Sequence, residues 1–198
     1  MSFTAGALLH PESIRVAQEY AQAADWAVAR RSTLEGNLLQ ARSSRTADRL
    51  LGEITARLQT LTPIQLKLLC DGTTDDQLQV LWLSVCKRYQ FIRDFAIEVV
   101  RERYLLLGDA ITRSDYERFF TAKAAWHPKL EGFGEATRDK LRQNLFKMLR
   151  EAGFLSSDGH VIGTFLSSDV VRVVVEEDPS NLMVFPVREE DVERWAQQ

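Results

Sequence analysis

The chain has 198 residues, 45% of them apolar and 27% charged, a balance that supports a buried core and excludes an intrinsically disordered chain. Its formal net charge of −3 gives no reason, from the total alone, to expect binding to a polyanion. No uncharged run approaches the roughly 18 apolar residues of a membrane span, and Met1 to Pro11 lack the basic start and apolar stretch of a signal peptide, so a cytoplasmic protein is expected.

Pro11 opens a helix in which Ile14, Ala17, Ala21 and Ala24 recur at helical spacing; proline fits a first turn because its missing N–H would be unpaired there. Asp25 is placed to cap a short helix from Trp26 to about Leu34, which Gly36-Asn37 breaks, leaving Leu38-Leu39-Gln40 as a connector. Ser43 or Ser44 caps the next helix, whose apolar stripe is Ala47, Leu50, Leu51, Ile54 and Leu58. Thr62-Pro63 begins a helix that stops near Gly72, and Thr74 is placed to cap the following one, with Asp75 and Asp76 at its positive end. Residues 78–106 stay apolar on most sides and read as a central hairpin or long helix, bent or broken near Tyr89.

Gly108-Asp109 marks the domain boundary. Thr112 and Asp115 resemble a capping box for a helix through Tyr116, Phe119 and Phe120, which Trp126-His127-Pro128 stops. After a turn over 127–134, an amphipathic helix runs from about Glu135 to Ala152, turns Leu141, Leu145, Met148 and Leu149 inward, and ends at Gly153. Asp158-Gly159 between short apolar runs signals a hairpin. Residues 170–175 combine a strand-like composition with a helix cap at Ser167-Ser168-Asp169, and helix is the reading favoured. Leu182 to Val187 reads as a strand, and Glu189 to Gln198 as a short helix. The fold expected is mainly α: an N-terminal helical bundle over residues 1–107, then a helix-turn-helix or winged-helix-like module over 108–198 with a small β hairpin or sheet.

Charge is unevenly distributed. Residues 28–67 hold seven Lys/Arg against three Asp/Glu, residues 84–150 fourteen against nine, and residues 151–198 three against ten. A basic middle permits a basic face, which is the electrostatic footprint of nucleic-acid binding. The candidate recognition helix carries Arg138, Lys140, Arg142, Gln143, Lys147 and Arg150; arginine reads guanine bidentately, and either cation neutralises phosphate. Arg42, Arg45 and Arg49 stand at a helix entry, where backbone N–H groups attract phosphate. The DNA-contact set is therefore Arg42, Arg45, Arg49, Arg138, Lys140, Arg142 and Lys147.

Enzyme chemistry finds little to work with. His10, His127 and His160 are scattered, and no phosphate loop, His-x-x-x-His pair or nucleophile elbow occurs. Cys70 and Cys86 have neither zinc spacing nor a disulfide framework. No catalytic residue, metal or cofactor is expected.

Several segments together carry a family resemblance: Asp25-Trp26 with Asn37 to Arg42, Leu81-Trp82-Leu83 with Cys86 to Tyr89 and Phe91-Ile92, Lys123 with Trp126-His127-Pro128, and Thr137 to Arg142 running into Phe146 to Gly153. In order and spacing they resemble the BrxA family of the BREX bacteriophage-exclusion systems, over about residues 3–187. The resemblance implies a prokaryotic defence component, encoded beside a DNA methyltransferase and other BREX proteins, largely helical and associated with double-stranded DNA. It supplies no catalytic residue. The expected function is a non-enzymatic DNA-binding accessory component with other BREX proteins as possible partners. The alternative is a protein–protein adaptor without DNA contact, motivated by the acidic tail and by Trp126, Phe133 and Trp195.

Overall fold

Side-chain caps start several of the helices, and the computed structural model, which describes residues 7–126 and 128–196, is about 71% helical with no strand among the described residues. Helix α1 (His10–Ala23) has Pro11 in its first turn. The Asp25 carboxylate accepts from the N–H groups of Ala27 and Val28 to start α2 (Trp26–Glu35). Ser43 caps α3 (Ser44–Leu58), and Thr62 with Gln65 closes a reciprocal capping box on α4 (Pro63–Asp71). Helix α5 (Thr74–Arg88) is capped one residue earlier than expected: Thr73, not Thr74, exchanges hydrogen bonds with Asp76.

The chain folds into two compact units that interleave along its length, whereas the sequence alone places one boundary at 107/108. One unit is Leu8–Arg88 with Leu166–Glu177; the other contains Tyr89–Phe165 and Asp178–Gln198. In the first, α1 packs on α2, α3 and α4, and Leu51, Ile54, Leu58, Leu69, Val80 and Trp82 fill the interior.

The second unit begins at Tyr89, whose extended backbone separates α5 from α6 (Gln90–Phe95), so the break expected near Tyr89 is present. The helix then widens into a π-helix (Ala96–Arg101) before α7 (Glu102–Leu105). Ala96 and Val100 share a face at either pitch, and the wider turn swings Arg101 towards that same inward side. Thr112 and Asp115 form the expected capping box at the start of α8 (Arg113–Ala124). The short α9 (Pro128–Glu131) occupies part of what reads as a turn, and α10 (Glu135–Glu151) follows. His127 lies outside the described residues. Phe91, Phe95, Tyr116, Phe119, Phe120 and Phe146 make the core, with Phe91 and Phe95 meeting Phe119 edge-on at 5.1 and 5.2 Å.

The β hairpin or sheet of the expected winged-helix-like module does not form. A single antiparallel bridge joins Leu155 to Val161 around Gly159, which adopts φ 94°. The return limb is diverted at once: Gly163 lies against the Tyr104 ring, where a Cβ would approach to 2.5 Å, and the Thr164 N–H donates to the Pro186 carbonyl. The strand expected over Leu182 to Val187 is also absent. Asp178 caps a 3-10 helix (Pro179–Val184) instead, and Pro186 has no N–H to offer a ladder. The fold class is all-helical.

Residues 170–175 are helical, within α11 (Ser168–Val175) capped by Ser167. This helix belongs to the first unit and packs on α4 and α5. There the buried Gln65 amide donates to the Val173 carbonyl at 2.9 Å, and the Ser167 hydroxyl to Asp76 at 2.7 Å. Helix α12 (Glu189–Ala196) closes the described chain, and its Glu189 pairs with the buried Arg101.

Candidate nucleic-acid interface

Helix α10 follows Gly134 in extended conformation and ends before Gly153, which takes φ 78°. At 3.6 residues per turn, residues seven apart lie nearly above one another. Arg138 therefore shares a column with Leu145, and Arg142 with Leu149, both leucines fully buried. Lys140 stacks with Lys147, and Ala136 with Gln143 and Arg150, and all five are exposed.

The half-buried arginines serve the fold. The Arg138 guanidinium lies over the Phe120 ring at 5.7 Å, and its carbonyl accepts from the Tyr116 hydroxyl at 3.4 Å. Arg142 pairs with Asp139 at 3.1 Å, and Asp139 also holds Arg113 of α8 at 3.1 Å. The structure thus places Arg138 and Arg142 between α8 and α10, not among the outward cations.

What remains outward is a ridge of Lys140, Gln143, Lys147 and Arg150. Among the described residues Lys140 and Arg150 make no ion pair, and Lys147 has only Glu151 at 3.7 Å. Arg150 and Gln143 are the ridge members that the expected contact set leaves out. The signal that finds them is phase, because each falls out of step with Leu141, Leu145 and Leu149.

In the other unit, Arg42, Arg45 and Arg49 are all exposed at the start of α3, and none is paired among the described residues. The Ser43 hydroxyl accepts from the Thr46 N–H at 3.3 Å, fixing the turn that carries Arg42 and Arg45. Arg45 and Arg49 are four residues apart and share a side of the helix. Arg30 donates to Thr55 at 3.3 Å and so ties α2 to α3, while Arg31 is exposed.

The remaining candidate groups are paired or buried. A cavity of about 400 Å³ is lined by Glu98, Glu102, Arg103, Asp115, Arg118 and Phe119, but both of its arginines bind Asp115. His10 hydrogen-bonds Gln77 at 2.8 Å, and the exposed His160 faces Asp158 at 3.1 Å. Burial pushes the Cys70 thiol up from its ordinary value, away from thiolate reactivity. Among the described residues no group of three or more His, Cys, Asp or Glu is placed to hold a metal, and no helix is long and apolar enough to cross a membrane.

Fold and site define an all-helical protein with outward, exposed cations on two separate helices. The chain belongs to the BrxA family, whose model matches residues 1–178. It is similar to proteins named BREX protein BrxA from Escherichia coli O9:H4 (strain HS), at 28% identity over 121 residues, 61% of this chain and 57% of the relative. The BREX protein BrxA of Paramagnetospirillum magneticum (strain ATCC 700264 / AMB-1) matches at 25% over 120 residues, 61% of this chain and 60% of its own length. The matched segment thus spans less than two thirds of these relatives. The crystal structure of an uncharacterized protein from Magnetospirillum magneticum shares the fold with a TM-score of 0.79, at 19% identity, covering 92% of this chain and 95% of that one.

Proposed function

We propose that this chain is a non-enzymatic, double-stranded-DNA-binding component of a BREX phage-defence system, acting in the cytoplasm with other BREX proteins and without a small-molecule substrate or cofactor. Its relatives carry the BREX name. The observation that carries the DNA reading is the α10 ridge, where Lys140, Lys147 and Arg150 point outward from a helix of 17 residues, about 25 Å long. A helix of that size fits the major groove, and cations along it displace counterions from phosphate. Arg42, Arg45 and Arg49 offer a second set of phosphate contacts from α3.

The test is titration of a labelled duplex across a salt series. The parent binds with a steep, linear dependence of log affinity on log salt. A Lys140→Ala/Lys147→Ala/Arg150→Ala variant lowers the magnitude of that slope by about three, near 0.9 per phosphate contact. Failure of the parent to bind duplex at low salt would overturn the reading.

A second reading, a protein–protein adaptor, draws on Trp126 and Leu107, which are 84% and 91% exposed. It requires partner association that salt leaves unchanged and that Trp126→Ala weakens. Phe133 and Trp195 are half-buried and lend it less.

A further inference from the structure

The crest of α10 has one feature that phosphate binding leaves unused. Gln143 is exposed, makes no hydrogen bond among the described residues, and is ringed on the surface by Lys140 three residues before it, Lys147 four after and Arg150 seven after. We infer that Gln143 is a sequence-reading residue that contacts adenine in the major groove, an inference that rests on the DNA-binding reading above.

The chemistry follows from the side chain. A primary amide presents one acceptor oxygen beside a two-proton donor, the complement of the N6 donor and N7 acceptor on the major-groove edge of adenine. A lysine in its place has donors but no acceptor and could not match both groups on that edge. The position suits the task as well. Lys140 and Lys147 stand about one turn to either side of Gln143 along the axis, so their long side chains can reach towards phosphates while the amide between them faces base edges. Ala136, in the same column two turns earlier, adds no bulk that would hold the helix off the groove floor. The backbone beneath is fixed from the other side by buried Leu141, Leu145 and Leu149 and by Arg138 on Phe120, so the amide projects from a rigid support.

The experiment is selection of bound duplexes from a randomised pool by the full chain, followed by salt-series titration on the enriched and scrambled duplexes. The parent enriches a short motif with a required adenine. Gln143→Ala loses discrimination at that adenine, on the order of 5- to 150-fold, and keeps the parent's affinity for scrambled duplex and its salt slope. Gln143→Arg moves the preference at that position toward guanine. Two outcomes overturn the inference and leave the DNA-binding reading intact: a parent that binds duplex but enriches no motif, or an enriched motif that Gln143→Ala reads unchanged. A parent that binds no duplex overturns both.

Discussion

Arg138 and Lys140 are two residues apart on one helix and are predicted to do unrelated work. Arg138→Ala removes the stack on Phe120 and destabilises the protein by about 1 kcal/mol, seen as a lower denaturation midpoint, while the salt slope of DNA binding stays the same. Lys140→Ala does the reverse: stability is unchanged and the slope falls by about one. Asp115 is a different kind of residue, a buried carboxylate. Burial alone would raise its pKa, but the Thr112 N–H at 2.8 Å, the Thr112 hydroxyl at 2.7 Å, Arg118 and Arg103 outweigh it and hold the carboxyl well below the usual range. Because the folded pKa lies beneath the unfolded value near 3.9, this stabilisation is complete above about pH 4 and is lost as pH falls toward the folded value. Asp115→Asn should cost about 2 kcal/mol at pH 7, and the two stability curves should converge on acidification; a constant gap down to low pH would refute the linkage.

Among the elements, α12 is weakly secured. It buries no residue, whereas α5 buries nine, and it is tied to its unit through the Glu189–Arg101 pair. Hydrogen exchange should therefore find the amides of α12 far less protected than those of α5. The starts of helices are legible in the sequence because a cap is local: Asp25, Thr62 and Thr112 bond to backbone within three residues of themselves. Thr73 shows the limit of that logic, since two adjacent threonines offer the same chemistry and the carboxylate of Asp76 chooses between them. The β elements escape a local reading because partners far along the chain decide them. Gly163 yields to Tyr104, and Leu182 to Val187 finds no neighbouring strand among the described residues. At the site, composition marks α10 as basic, but only the heptad columns separate Arg138 and Arg142, in line with Leu145 and Leu149, from the outward Lys140 and Lys147.

For the molecule as a whole, a net charge of −3 means that any hold on DNA must come from local clusters against an unfavourable background. If the α3 cluster shares in binding, Arg42→Ala/Arg45→Ala/Arg49→Ala should lower the salt slope by about three with no loss of stability, since all three side chains are exposed and unpaired among the described residues. An unchanged slope would confine contact to α10. The interleaving of the two units also has a consequence for biosynthesis. Gln65 and Asp76 take their partners from Val173 and Ser167, so the unit that begins the chain lacks one of its helices until residue 177 has left the ribosome. A nascent chain therefore carries the bare flanks of α4 and α5 until α11 emerges, with Gln65 waiting 108 residues for the Val173 carbonyl.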